Sequence, residues 1–334
     1  MPASSPSHWR CDARQSQRPS RRGTWPLRVN EVDLRTEPTS ADTATGSYGD
    51  LKRYLPIMLD PDGTRATLEE LIAAWHADVR SVDIAVRKDI TVGLVVYGLT
   101  AHTYAIAEGV LALYDHDCHA VAVPLVREAI ECAVTAMWVE LGGPSAALSL
   151  LHEQTRNSRN TIAEFIRAGM PDGQGAIDRL EAELKESFNT TSGAGRRVEQ
   201  RCGELAGGGY LYAAYRAASD TAHAGGAVVD LFLEGTDGGE LSPLGIRLTT
   251  HPNAEAADSW LRILLVMVVH ATTAWSRLDI RRTARSRMKQ LNCELGTSFQ
   301  HAFTVEGLRQ QSKRERELKA WRAAGHTLED DLTT

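Results

Sequence analysis

Along most of this chain apolar residues recur at spacings of three and four, the period of a helix buried on one side. The first such pattern starts at Thr67, which with Glu70 has the form of a capping box, and runs to about residue 88. Asp89 stands where it can cap a second helix over 90–114, in which Tyr97, Tyr104, Glu108 and Leu111 share one face. A third pattern, 118–141, aligns Val123, Val126, Ile130, Val134 and Met137, and the Gly142-Gly143-Pro144 run predicts its end. Asp117 is in position to cap that helix. Helical spacing resumes over 145–168, and shorter stretches at 177–188 and 196–205 predict two more helices. The stretch 210–223, largely alanine between its polar residues, predicts another. The period then falls to two. Residues 228–233 alternate, 235–239 reads as a turn and 245–250 can pair back, which predicts a small β-hairpin within 228–250. From 254 the helical period returns, and Trp260, Ile263, Leu264, Met267, Val268, Ala271 and Trp275 form a stripe broad enough for a central helix. That helix is expected to run on toward the basic residues 281–289.

These elements predict an all-α fold: one large antiparallel bundle of about six to eight helices with a small inserted hairpin. Residues 51–300 form the bundle in this reading, with an entry turn at Pro61-Asp62-Gly63. A disordered Arg/Ser/Pro-rich segment, 1–50, precedes it, and a charged amphipathic tail, 301–334, follows. Composition agrees. Aromatic residues make up only 6% of the chain, and Ala and Leu dominate the apolar set, which favours helices over strands.

Charge changes the picture in one place. The net charge of −6 argues against a general nucleic-acid binder, but residues 277–322 carry 12 Lys/Arg against 5 Asp/Glu. Such a segment is either a solvated basic face or a contact for an anionic partner such as RNA. The five cysteines are scattered and form no CxxC pair, which fits free thiols in a reducing cytoplasm. Two apolar runs, 90–114 and 261–275, are interrupted by His102 and Glu108 and by Arg262 and His270, and read as buried helices of a cytoplasmic protein with no membrane span. The run 115–119 holds Asp, His and Cys, but its spacing matches no metal motif. Neither a metal site nor a cofactor is expected.

The candidate chemistry lies on two helices. Arg127 and Glu131 are one turn apart at the edge of an apolar face near Trp138. On the 210–223 helix, Tyr212, Tyr215, Arg216, Ser219 and His223 fall on one side, with Arg216 and His223 two turns apart. A polar face of this kind is either an internally satisfied network or a site. Tyr104, Glu108 and Arg127 allow a third reading, a small-molecule pocket between helices.

The segment LVREAIECAV followed by a tryptophan, together with Tyr215-x3-Ser219-x3-His223, resembles a family of uncharacterised bacterial helical proteins, often actinobacterial. That resemblance spans roughly residues 90–280 and implies no settled activity. The pair Arg216 and His223 also resembles the Arg-x4–6-His signature of HEPN-type domains, with Ala217 where that family usually has a polar residue. This second resemblance implies a homodimeric helical bundle that cleaves RNA without metal. His223 would move the proton, Arg216 would stabilise the phosphorane, Glu131 or Ser219 would assist, and the segment 277–322 would hold the RNA backbone. The leading expectation is a non-catalytic interaction or structural module, acting in stress or phage defence, and the HEPN-type reading is the alternative to it.

Overall fold

The computed structural model describes residues 60–78, 89–169, 173–190, 195–236, 245–252, 257–298 and 300–326. The expected disorder of 1–50 and the far end of the first helix, to residue 88, lie outside the described residues.

Ten helices and one two-stranded hairpin are found among those residues, so the fold is all-α. Helix α1 spans Pro61–Asp78. It starts six residues earlier than the sequence predicts, because Asp60 caps it by accepting the Gly63 N–H at 2.7 Å, and Pro61 suits the first turn. Thr67 is therefore inside the helix, where its hydroxyl donates back to the Gly63 carbonyl. Helix α2 (Ile90–Asp115) is capped as expected, with the Asp89 carboxylate accepting the Thr91 N–H. A three-residue turn then reverses the chain and lays α3 (His119–Arg167) against α2. Asp117 does not cap α3. It holds a positive φ of 55° within the turn, and Cys118 occupies the cap position.

The predicted stop at Gly142-Gly143-Pro144 is a kink instead. Gly143 takes φ 62° and ψ −151°, a conformation open to glycine, and the helix resumes at once. Next come α4 (Gln174–Glu186), α5 (Val198–Glu204), α6 (Gly208–Ala222) and α7 (Gly226–Asp230). The last of these occupies residues expected in a strand. Gly208 brings the start of α6 so close to α5 that a Cβ there would lie 1.8 Å from the Cys202 carbonyl oxygen. The remaining helices are α8 (Ala257–Leu278), α9 (Arg285–Glu294) and α10 (Val305–Ala323). Helix α8 does not continue through the basic residues, since Arg282 turns at φ 56°.

Helices α3 and α8 form the centre. The first half of α3 packs on α2, α6 and α8, and α8 also meets α1 and α9. Trp138, Ile130, Leu264, Leu265 and Met267 are fully enclosed there, each contributing about 1.5–3 kcal/mol by leaving water. By length and composition α2 and α8 could each cross a membrane, but 83% of the α8 segment is buried in the bundle, so its apolarity is used by the core. A second, smaller core joins Leu148, Phe188 and Leu318 beside Trp321. The chain before α10 is pinned to the end of α5 by two backbone bonds, Ala206 N–H to Ala302 O and Thr304 N–H to Glu204 O. The hairpin is a separate compact unit: β1 (Leu233–Gly235) pairs antiparallel with β2 (Ile246–Leu248), with Glu234 opposite Arg247 in an ion pair.

Candidate functional site

Arg127 and Glu131 do project from neighbouring turns of α3, but each reaches another helix. The Arg127 Nε donates to Ser219 Oγ at 3.0 Å and its Nη2 donates to the Tyr215 hydroxyl, with the guanidinium carbon 4.6 Å from the Tyr215 ring centre. Ser219 donates onward to the Tyr215 carbonyl at 2.7 Å. Glu131 pairs with Arg201 of α5 at 3.1 Å, and Arg201 Nη1 donates to the Gly195 carbonyl at 3.0 Å. The Arg201 side chain is only 3% exposed. Burial pulls its pKa below the ordinary guanidinium value, and the Glu131 carboxylate opposes that shift. Two thiols flank this pair. Burial, with Glu128 and Glu131 adding to it, pushes Cys132 up to about 12, and burial pushes Cys202 up to about 12. Both are protonated at neutral pH and are poor nucleophiles.

Of the residues singled out in the sequence, the fold brings Arg127, Glu131, Tyr215 and Ser219 into one cluster. Tyr212 stacks beside Tyr215, with ring centres 6.3 Å apart. Arg216 is exposed, so it lies on the rim of this cluster and not within it. His223 lies just past the helix end. Helix α6 ends at Ala222, His223 is extended (φ −111°, ψ 144°) and exposed, and the shared helical face with Arg216 does not form. The two-turn alignment required a helix through 223, and the glycines at 225 and 226 follow too closely to sustain one. Glu108 lies apart from this cluster. It is 43% exposed and pairs with His76 of α1, whereas Tyr104 is buried against the Thr272 hydroxyl at 2.9 Å. Tyr104, Glu108 and Arg127 thus serve three different contacts.

The sequence reading missed two other polar groups. Glu204 at the end of α5 takes both Nη1 and Nη2 of Arg314 at 2.8 Å and accepts the Trp138 indole N–H at 2.7 Å. Arg314 is fully buried, with its guanidinium 4.9 Å from the Trp138 ring centre. Its charge disguised it in a segment that reads as solvated. The second group lines a cavity of about 470 Å³ between α6, α8 and the chain before α10. His270 Nδ1 lies 3.4 Å from His301 Nε2 there. Burial drives His270 down to about 4. It also holds His301 well below the usual imidazole range, helped by His270 and Arg277. Both rings are neutral at pH 7. Burial pushes the Tyr210 hydroxyl up to about 12. Tyr210 Oη and His301 Nδ1 are buried with no hydrogen-bond partner among the described residues, and the rest of the wall includes Met137, Leu205, Leu211, Val266 and Leu295. His270 had a visible signal, a polar residue interrupting the central stripe, but nothing in sequence links it to His301.

No curated protein and no solved structure matches the chain. Residues 93–241, a span that holds the whole Arg127–Glu131–Arg201–Tyr215–Ser219 cluster and neither His270 nor His301, match the model of a family of unknown function, DUF5677.

Proposed function

We propose that this protein is a non-catalytic helical module that binds a small, neutral, largely apolar molecule in the cavity of Tyr210, His270 and His301. One observation carries the reading: two buried polar atoms, Tyr210 Oη and His301 Nδ1, line an apolar cavity and lack hydrogen-bond partners among the described residues. Leaving such a group unsatisfied costs about 1–3 kcal/mol, which a ligand bearing a hydroxyl, carbonyl or amide offsets on binding. Neutral imidazoles favour an uncharged ligand, because neither ring supplies charge to pair with an ion. The cavity volume suits a molecule of about one or two rings.

The cluster on α3, α5 and α6 supports the non-catalytic half of the proposal. Arg127 is committed to Ser219 and Tyr215, Arg201 to Glu131 and Gly195, and burial holds both thiols protonated while no metal is bound. The test is a thermal-melting screen with small neutral aromatic alcohols and amides, beginning with phenol and benzamide. Compounds of this class are expected to raise the melting temperature of the wild type and to lose that effect in Tyr210→Phe and in His301→Phe. Absence of any stabilising compound, or equal stabilisation of both variants, overturns the assignment. RNA cleavage by the wild type that disappears in His223→Ala and in Arg216→Ala would replace it with the HEPN-type reading.

A further inference from the structure

We propose that His102, Glu128 and Cys132 form a binding site for a transition-metal dication of the zinc class. The three come from two helices. Glu128 and Cys132 are one turn apart on α3 and so project to the same side, and His102 faces them from α2, which packs along α3. One imidazole nitrogen, one carboxylate oxygen and the Cys132 sulfur all lie within 4.8 Å of one another. The Cys132 sulfur is 3.9 Å from Glu128 Oε1. A tetrahedral ion with bonds of about 2.0–2.3 Å holds its donors roughly 3.3–3.8 Å apart. Small rotations of His102 and Glu128 close the difference, and both are free enough to make them: His102 is exposed and Glu128 only half-buried.

The donor chemistry selects the ion. Sulfur and imidazole ligands favour zinc, cobalt or cadmium over magnesium and calcium, which prefer sets made of oxygen alone. Thiolate and carboxylate together balance the two positive charges of the cation. On binding, the Cys132 S–H bond breaks, its proton leaves to solvent, and a metal–sulfur bond forms; no electrons are exchanged. Depth is graded from buried Cys132 through half-buried Glu128 to exposed His102. The fourth coordination position therefore faces outward, where water or a further ligand can take it. The nearby cation, Arg201, is held by Glu131, which limits its repulsion of a bound metal. No sequence motif announces the site, because its ligands are split between helices and His102 lies 26 positions before Glu128.

The test is titration of untagged, chelator-treated protein with cobalt(II), followed by optical absorption, with zinc(II) competition. The expected result is one equivalent bound, tetrahedral d–d bands, a thiolate-to-cobalt charge-transfer band, and displacement by zinc. Cys132→Ser should abolish the charge-transfer band. His102→Ala, a change at an exposed position that leaves the bundle intact, should weaken affinity by more than about tenfold, the lower end of what even outer-sphere changes cost a metal site. A charge-transfer band that persists in Cys132→Ser would place the metal on another thiol and overturn the proposal. Unchanged affinity in His102→Ala, or a wild type that binds no cobalt, would do the same. If Cys132→Ser fails to fold, His102→Ala alone still decides, because it leaves the thiol in place.

Discussion

Arg127 and Glu131 are neighbours in sequence and partners to different helices in space. That division gives their removal different consequences. Glu131→Gln takes the carboxylate from a guanidinium that is almost wholly buried, and should cost about 3 kcal/mol of unfolding free energy. Tyr215→Phe removes one acceptor of a charged donor in a half-buried place, and should cost about 1.5 kcal/mol. Denaturant unfolding of the two variants checks the order; a larger loss in Tyr215→Phe would mean that the Arg201 pair is not the stronger tie. A second expectation concerns pH. Burial depresses the folded-state pKa of His270 to about 4, whereas an imidazole in the unfolded chain titrates near 6.5. Between those values the unfolded chain binds more protons, so stability is complete above about pH 6.5 and declines as pH falls toward 4. His270 alone accounts for about 3 kcal/mol of that decline, and His301 acts in the same direction. Unfolding measured at about pH 7 and about pH 4.5 should show a clearly smaller difference in His270→Gln than in wild type, and an equal difference would refute the assignment. Periodicity was enough to find Arg127, Glu131, Tyr215 and Ser219, since each sits on a long regular helix. It could not find Arg201, which lies on a seven-residue helix, nor orient His223, whose side depended on where α6 ends.

Helix boundaries are where local rules and packing part company. The run Gly142-Gly143-Pro144 has every mark of a terminus, yet the same residues make a kink, because a single positive φ redirects the chain while both halves of α3 keep buried faces. Likewise the charged stretch of α10 reads as solvent-facing until Arg314 is seen buried against Glu204 and Trp138. A sequence pattern registers the average polarity of a face; it does not register one long side chain threaded into a neighbour. This contact should control how firmly α10 is held. Glu204→Ala removes the acceptor of both Arg314 and Trp138 and is expected to cost about 3–5 kcal/mol. In that variant, limited proteolysis and hydrogen exchange should show residues 305–323 opening ahead of α3 and α8. Uniform loss of protection across all helices would instead make the contact part of a single cooperative core. The α5–α6 junction gives a sharper case. Gly208→Ala would set a methyl group 1.8 Å from the Cys202 carbonyl oxygen, so backbone must move, at a cost of about 1–3 kcal/mol or more. Gly203→Ala, with open space around it, serves as the control with little effect.

Across the whole molecule, charge is distributed so that the basic segment 277–322 is answered in part from within. The total is −6 although residues 277–322 are basic, so the rest of the chain is more acidic than the total suggests. Several of those bases meet acids on other elements: Arg277 with Glu140, Arg281 with Asp78, Arg287 with Glu70 and Arg314 with Glu204. A segment that reads as an anion-binding strip thus acts as a strap, tying α8, α9 and α10 to α1, α3 and α5. Exposed pairs of this kind each add only about 0–1 kcal/mol, but the buried ones at Glu140 and Glu204 fix register. The consequence for nucleic acid is direct. Bases already paired with carboxylates release few counterions on meeting a phosphate backbone, so affinity should be weak and its salt dependence shallow. Fluorescence anisotropy with a labelled single-stranded RNA should give dissociation constants no tighter than the roughly 10⁻⁴–10⁻⁶ M typical of non-specific binding at physiological salt. The logarithmic salt slope should correspond to only about two or three phosphate contacts. Tighter binding with a steep slope, lost on replacing Arg285 and Lys289 of α9 by glutamine, would instead identify this face as an RNA-binding surface and return weight to a nucleic-acid role.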